Sequence, residues 1–190
     1  QAPKMGNDDD YVDNIAVELL EMFSELTINL KNDRGGCFRP GSGSAMYYLW
    51  HVRDIGASAD GRKKGEPLSA NFSPSLNVKV NGPLSVISSF SKPDLKKIMN
   101  GGPLTLELHD TLFRNRDSIQ KVAFLVKSYI DMGGHQLQLN AVNRERLIEA
   151  KKYPELHKNL IVRVWGWSGY FVELDEEYQD HVIQRIELQT

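Results

Sequence analysis

The chain has 190 residues, of which 41% are hydrophobic and 25% are charged, with a formal net charge of −2 and a single cysteine. This length suits one domain, and this composition excludes collagen-like, low-complexity and wholly disordered proteins. A nearly neutral chain has no electrostatic footprint for nucleic acid or an anionic membrane, and no apolar run is long enough to span a bilayer. One cysteine excludes an internal disulfide, the scattered histidines predict no metal site, and the polar, acidic start predicts a cytoplasmic protein.

The first half of the chain is rich in turn-forming residues. Near its start, apolar residues that recur every three or four positions predict an amphipathic helix. These residues are Ile15, Leu19, Met22, Phe23 and Leu26. Glycine and proline predict loops on both sides of a short aromatic run, which itself predicts a buried strand. In chain order we expect an exposed lead-in at 1–10, the helix at 11–31, a loop at 33–46, the strand at 46–52, a long loop at 54–84 and a short helix at 93–102.

The second half is more regular. Alternation of apolar and polar residues predicts strands, and longer periodic stretches bounded by Asn143, Asp175 and the Gly133–Gly134 pair predict helices. We expect strands at 104–108, 135–142, 159–164 and 170–174, and helices at 119–130, 144–152 and 176–186. Neither a repeat nor a linker divides the chain, so we expect one structural unit.

The motif RVWGWSGYF joins the third and fourth of these strands. Its ordinary interpretation is a hairpin turn in which Gly166 or Gly169 supplies a positive φ. A chemical interpretation concerns the Gly166 Cα–H bond, the type of backbone bond most easily converted into a stable radical. The amide nitrogen donates spin density, the carbonyl withdraws it, and the missing Cβ lets the centre become planar. Such a radical needs protection from oxygen, so we expect Trp165, Trp167 and Tyr170 to bury it.

A longer pattern precedes this glycine in one register. It consists of Gly133–Gly134, an alternating strand that ends in Asn140, then Asn143-Arg144-Glu145, Pro154, and Arg163-Val164-Trp165-Gly166. This pattern resembles the C-terminal end of the glycyl radical enzymes, the pyruvate formate-lyase group. It is far more specific than an isolated glycine motif.

Three further blocks occur in the order that the family shows. They are ADGRKKGEPL at 59–68, SPSLNVKVNGP at 73–83, and the closing QDHVIQR at 179–185. By composition alone the first would be a solvated basic turn. Together the blocks imply a glycyl radical domain at 55–190, preceded at 1–54 by a helix, a glycine-rich loop and a strand of the partial barrel.

The resemblance implies an α/β fold, the C-terminal part of the family's ten-stranded α/β barrel, with the radical glycine on a loop between two strands. Gly166 then stores the radical, and Arg163, Trp165, Trp167 and Ser168 support its loop. The chain binds no cofactor, because a separate radical S-adenosylmethionine activating enzyme with an iron–sulfur cluster installs the radical. The radical next generates a cysteine thiyl on a part of the barrel that this chain lacks, and the thiyl attacks a small-molecule substrate. Oxygen would cleave the backbone at Gly166.

Family members are several times longer than this chain, so we expect it to be inactive alone. It is then a fragment, one half of a split enzyme, or a free-standing spare-part radical subunit. The stretches LELHDTLFRN and WGWSG depart from the patterns of diol dehydratases and choline lyases, which disfavours both. A lyase that cleaves a C–S, C–C or C–N bond is favoured over a hydrocarbon-adding enzyme and a formate C-acetyltransferase. The non-enzymatic alternative is a structural or interaction domain, indifferent to oxygen and to an activating enzyme.

Four other residues have functional side chains. Cys37 lies too close to the ADGRKKGEPL block to match the family's thiyl cysteine, so we interpret it as a small buried hydrophobe. His109 and Asp110 have acid–base chemistry, but neighbours on a strand point to opposite faces, which favours a structural role. Arg39 fits either an anionic substrate or a plain surface position. Unpaired strand edges and exposed apolar faces predict that the chain forms homo-oligomers.

Overall fold

The computed structural model describes residues 2–44, 46–164, 166–185 and 187–188. In these ranges the α-helices are α1 (Asp10–Ile28), α2 (Tyr47–Trp50), α3 (Pro83–Phe90), α4 (Arg116–Asp131), α5 (Arg144–Lys152) and α6 (Glu176–Gln184). The strands are β1 (Leu104–His109), β2 (Leu137–Val142), β3 (Ile161–Arg163), β4 (Ser168–Tyr170) and β5 (Glu187–Leu188). None of the helices in the described part of the chain is long and apolar enough to cross a membrane.

A small parallel sheet forms the centre of the fold. Its strand order is β2–β1–β5, and β1 pairs with β2 from Leu104↔Leu137 to His109↔Val142. Strands β3 and β4 form a separate antiparallel hairpin. Strand β1 lies between two parallel neighbours, and its consecutive residues Leu106, Glu107 and Leu108 are all buried, so both of its faces are covered, as is typical of parallel sheets. The two faces of β1 and β2 therefore position the helices and the hairpin that pack beside them.

Two apolar clusters flank this sheet. Helices α3 and α4 pack on one face of β1 through Val86, Ile87, Phe90, Val122, Leu125, Tyr129, Leu104, Leu106 and Leu108. A second cluster joins α5, α6 and the hairpin through Leu147, Ala150, Val162, Val164, Phe171 and Val182. The hairpin therefore has a core of its own, which holds it beside the sheet.

Asparagine side chains cap two helices: the cap predicted at Asn143 is confirmed and Asn115 was not predicted, while Asp175 precedes α6 without a side-chain cap bond. Asn143 accepts the Arg146 N–H at 3.0 Å at the start of α5, and Asn115 accepts the Ser118 N–H at 2.8 Å at the start of α4. Helix α4 ends before Gly133, which has φ +87°. The predicted strands at 104–108, 135–142 and 159–164 are confirmed as β1, β2 and the shorter β3.

Three local predictions are wrong. The strand predicted at 46–52 is instead α2 followed by a 3₁₀ turn, and its buried residues Tyr48, Leu49 and Val52 have the spacing of one helical face. The strand expected at 170–174 ends at Tyr170 and continues as a 3₁₀ turn. The helix expected from Pro93 is a short 3₁₀ turn, whereas Pro83 opens the unpredicted α3 at its first position.

The N-terminal residues are also not the exposed lead-in that their polarity predicts. Met5 packs against the first core cluster, and the Asn7 side chain donates to the Lys79 carbonyl at 2.9 Å. Lys92 lies within 2.9 Å of three carboxylates, of which the one on Asp13 is fully buried. These contacts raise the pKa of Lys92 to an extreme value, although burial alone would lower it. The acidic start of the chain therefore serves to fasten α1 to the end of α3.

Helix α1 turns its apolar side outward. The predicted apolar residues Ile15, Leu19, Met22, Phe23 and Leu26 are each about half exposed or more, from 47% to 66%. The residues of α1 that are buried are Asp13 and Ser24. The periodicity predicted the helix correctly, but its apolar face has no cover among the described residues. An apolar surface of this kind favours association.

We expect this chain to self-associate through α1. Replacing both Leu19 and Leu26 by Glu should weaken the association at least about tenfold, because each leucine side chain contributes roughly 1.5–3 kcal/mol when buried. Sedimentation velocity over a range of concentrations measures this change. The matched control replaces Leu84 and Leu156, which are 60% and 75% exposed elsewhere, by Glu. Equal effects in the two double variants would contradict a specific role of α1.

Candidate functional site

Gly166 lies at the tip of the β3–β4 hairpin. The strand register pairs Arg163 with Ser168, and the Val164 N–H donates to the Trp167 carbonyl at 3.0 Å, which closes the turn. Gly166 has φ +70°, in the left-handed region that favours glycine. It is exposed, and among the described residues no heavy atom other than those of its chain neighbours lies within 4 Å of the position that a Cβ would occupy. The Gly166 Cα is therefore open to approach.

Strand β2 holds the hairpin through side-chain amides. The Gly166 N–H donates to Gln138 Oε1 at 3.0 Å. Two residues further along β2, Asn140 Oδ1 accepts the Arg163 N–H at 3.1 Å, and Asn140 Nδ2 donates to the Arg163 carbonyl at 3.0 Å. The Asn140 amide thus bonds to Arg163 as a neighbouring strand would. The backbone on both sides of the turn is anchored to β2.

A buried ion pair completes this anchor. Arg185 follows α6, and its Nη1 lies 2.8 Å from Glu107 Oε1; the two side chains are 5% and 3% exposed. The same guanidinium donates to the Arg163 carbonyl at 2.9 Å and to the Val164 carbonyl at 2.7 Å. Asn140 Nδ2 also donates to Glu107 Oε1 at 3.0 Å. Charge-assisted hydrogen bonds of this length are among the strongest in proteins, so the main chain before Gly166 is tightly fixed.

His181 lies beside this ion pair. Its ring is 1% exposed and packs on Tyr48 with ring centroids 4.5 Å apart. Neither ring nitrogen has a hydrogen-bond partner among the described residues. Burial, and secondly the positive charge of Arg185, lowers the pKa of His181 from 6.5 to about 3. The ring is therefore neutral at ordinary pH, and it lines a cavity of about 40 Å³ together with Thr105, Glu107 and Arg185.

Comparison with known proteins identifies the family. The family model described as Glycine radical matches residues 68–172, which is more than half of the chain, and the model described as Pyruvate formate lyase-like matches residues 1–49. The chain belongs to the glycyl radical family. It carries the glycyl radical domain, and the family that the sequence predicts is confirmed.

Individual relatives agree with this assignment. Trans-4-hydroxy-L-proline dehydratase of Clostridioides difficile is 34% identical over 188 residues, which cover 98% of this chain and 24% of the relative. Indoleacetate decarboxylase of Tractidigestivibacter scatoligenes is 33% identical over 186 residues, covering 97% of this chain and 21% of the relative. The chain therefore spans about a quarter of the length of the curated relatives it matches.

Solved structures confirm the predicted fold. The glycerol-bound B12-independent glycerol dehydratase from Clostridium butyricum superposes with a TM-score of 0.95 at 35% identity, covering 100% of this chain and 24% of that one. A glycyl radical enzyme from Archaeoglobus fulgidus superposes with a TM-score of 0.92 at 35% identity, with the same coverage. The chain is thus the C-terminal part of the family's α/β barrel, and Gly166 lies between two strands as expected.

The predicted loop residues come together only in part. Arg163 Nη1 donates to Ser168 Oγ at 3.3 Å, so these two side chains meet across the hairpin. Trp167 is 50% exposed, and its ring lies against Gly169. Tyr170 is also exposed, and Trp165 lies outside the described residues. The expectation that neighbouring aromatic rings bury Gly166 is therefore wrong for the described part of the glycyl radical domain.

The other candidate residues lie away from the hairpin tip. Cys37 is exposed, not a buried hydrophobe. Arg39 is exposed on a loop whose next residue, Pro40, accepts the Asn100 N–H at 2.8 Å; a substrate contact of Arg39 stays a prediction. His109 Nδ1 lies 3.3 Å from Asp110 Oδ1, although we expected these neighbours to point apart.

The His109–Asp110 contact arises because β1 ends at His109 and a 3₁₀ turn begins at Asp110. Asp110 also forms an ion pair with Arg114 at 2.7 Å, and this partner holds the Asp110 pKa below its usual value. The ring of His109 caps the same turn. These contacts support the structural role that the sequence favoured.

The anchoring residues Glu107, Gln138 and Arg185 were not predicted as site residues. Alternation in β1 and β2 implied that leucines face the core and that polar residues face water. In β2 both faces are covered: Leu137 and Leu139 pack against the first core cluster, while Gln138 and Asn140 are 8% and 5% exposed and lie under the hairpin. Two signals could have identified these residues. One is Arg185 in the closing QDHVIQR block, and the other is the cross-strand pairs Thr105↔Gln138 and Glu107↔Asn140, which can be seen only once the strand register is known.

Removing the Arg185 charge should strongly destabilise the glycyl radical domain. In Arg185→Met the Glu107 carboxylate stays buried without its cation, which costs about 3–5 kcal/mol of unfolding free energy. Urea unfolding measures the loss. The matched control is Arg53→Met, which breaks the exposed Arg53–Glu177 pair and should change stability little. A small loss in Arg185→Met would contradict the anchoring role.

The buried His181 should make stability depend on pH. Its pKa is about 3 when folded and 6.5 as a free side chain, so only the unfolded chain takes up a proton between these values. The unfolding free energy should therefore fall as the pH drops below 6.5, by up to about 1.4 kcal/mol per pH unit. His181→Phe should flatten this slope between mildly acidic and neutral pH. His135→Phe, at an exposed histidine, should keep the slope unchanged.

Proposed function

We propose that Gly166 is the radical-bearing residue of this domain. The observation that carries the proposal is the anchored hairpin: the main chain before Gly166 is fixed by Arg185 and Asn140, while the glycine itself is open. Activation removes one hydrogen atom from the Gly166 Cα and leaves its unpaired electron there. The hydrogen passes to a radical that an activating enzyme makes from S-adenosylmethionine with one added electron.

Openness at Gly166 serves this chemistry in two ways. The activating enzyme has to reach the Cα, and later a cysteine thiyl on the rest of the barrel has to exchange a hydrogen atom with it. Gly166 and Arg163 line a groove of about 430 Å³ with Pro103 and Gln138, which offers a path to the Cα. The rest of the enzyme would then supply the cover against oxygen that the described aromatic residues do not give.

We propose a lyase as the reaction type of the whole enzyme. Relatives at 33% to 34% identity are named as a hydroxyproline dehydratase, a sulfopropanediol dehydratase and an indoleacetate decarboxylase. These names share the breaking of a bond to carbon in a small molecule, which favours a lyase over a formate C-acetyltransferase. The expectation against diol dehydratases stays a prediction, as do the cytoplasmic location and a boundary after residue 54.

Electron paramagnetic resonance tests the radical site. The protein that carries this domain is incubated without oxygen with a radical S-adenosylmethionine activating enzyme, a reductant and S-adenosylmethionine. We expect a doublet from one strongly coupled α-hydrogen, and backbone cleavage at Gly166 once air is admitted. Gly166→Ala should abolish both.

The control for this experiment is Gly133→Ala. Gly133 also has a positive φ, +87°, and nothing lies within 4 Å of its Cβ position, so an alanine there causes the same kind of strain. It should keep both the doublet and the cleavage. A doublet that survives in Gly166→Ala, or a folded and correctly assembled protein without any doublet, would contradict the proposal. Indifference to the activating enzyme and to oxygen would favour the structural alternative.

A further inference from the structure

We propose that Gln138 is a positioning residue for the radical glycine: its Oε1 holds the Gly166 N–H and thereby sets the orientation of the peptide group that shares the unpaired electron. This inference rests on the proposed role of Gly166. In this inference one side chain sets the orientation of the amide nitrogen, the atom next to the radical centre.

The hairpin cannot satisfy the Gly166 N–H by itself. The bond that closes the turn uses the Val164 N–H and the Trp167 carbonyl, so the donor of Gly166 needs an acceptor from elsewhere. Gln138 Oε1 supplies it at 3.0 Å. The acceptor is 8% exposed, and a hydrogen bond in such surroundings is stronger than one in water.

The support behind Gln138 is rigid. It lies in the middle of β2, where the parallel register places it opposite Thr105 of β1. Its Nε2 is buried and has no hydrogen-bond partner among the described residues. Burying the Gln138 amide with its Nε2 unpaired is costly. Among the described residues, the hydrogen bond from the Gly166 N–H to Gln138 Oε1 offsets this cost. A residue on a strand also positions its partner better than a residue on a loop.

The position of this bond matters because the glycyl radical is delocalised. Spin on Cα extends onto the flanking amide nitrogen, so the nitrogen and its hydrogen report directly on the radical. The hydrogen bond to Gln138 fixes where that N–H points. Changing the acceptor should therefore change the coupling of the exchangeable amide hydrogen while the strong coupling to the α-hydrogen persists.

Hydrogen–deuterium exchange tests the hydrogen bond without any radical. Gln138→Met keeps the length of the side chain but offers only a weak sulfur acceptor. In the protein that carries this domain, fragment-resolved mass spectrometry should show Gly166 N–H exchange about tenfold faster in this variant, as expected for one lost hydrogen bond. Gln138→Glu retains an acceptor oxygen and should restore slow exchange.

The matched control is Gln136→Met. Gln136 lies two residues earlier in the chain, and its Oε1 accepts the N–H of a different glycine, Gly102, at 3.1 Å. This variant should speed exchange at Gly102 and leave Gly166 unchanged, and Gln138→Met should do the reverse. Unchanged exchange at Gly166 in Gln138→Met would overturn the inference, whether or not a radical forms.

The second measurement is made on the activated protein. Electron–nuclear double resonance in H₂O and D₂O should show a shifted exchangeable-proton coupling in Gln138→Met, with wild-type values in Gln136→Met. Identical couplings in all three proteins would overturn the positioning role of Gln138 and leave the proposed function intact. Absence of a radical from the wild-type protein would instead overturn the proposed function and, with it, the positioning role.

Discussion

The buried Glu107–Arg185 ion pair is the interaction on which the position of the glycyl hairpin depends. Removing two charges from water is costly, and the cost is offset only by close geometry and by further hydrogen bonds to the charged groups. Here Arg185 donates to the Glu107 carboxylate and to two hairpin carbonyls. Asn140 donates to the same carboxylate and to the Arg163 carbonyl. Strand β1, strand β2 and the end of α6 therefore meet at the main chain that leads into Gly166. Contacts to carbonyls fix this backbone whatever side chains the hairpin tip carries.

The central sheet can serve this purpose because its two faces differ. One face of β1 carries leucines against α3 and α4 and supplies the hydrophobic stabilisation. The other face carries the pairs Thr105↔Gln138 and Glu107↔Asn140, which lie under the hairpin. Buried polar groups need partners, and the hairpin backbone supplies a donor for Gln138 and both a donor and an acceptor for Asn140. Fold stability and positioning of the glycine are thus assigned to opposite faces of the same two strands.

This division also explains what the sequence could predict. Alternation located β1 and β2, and the cap Asn143 located the helix that it opens, because these signals are local. Which face of a strand is buried depends on what packs there, so the role of Gln138 could not follow from its own strand. The run at 46–52 is too short for its period to separate helix from strand. The outward apolar side of α1 depends on surfaces beyond the described residues.

Glycine is favoured at position 166 by its backbone conformation. With φ +70°, the residue occupies a region where a Cβ is disfavoured, so the turn itself selects glycine. Apart from its chain neighbours, nothing among the described residues lies within 4 Å of the Cβ position, so crowding does not make this selection. In the proposed role, a hydrogen-atom acceptor would reach the Cα through this space. The hairpin is fixed through two carbonyls and one N–H, so the position of Gly166 does not depend on a contact at its Cα.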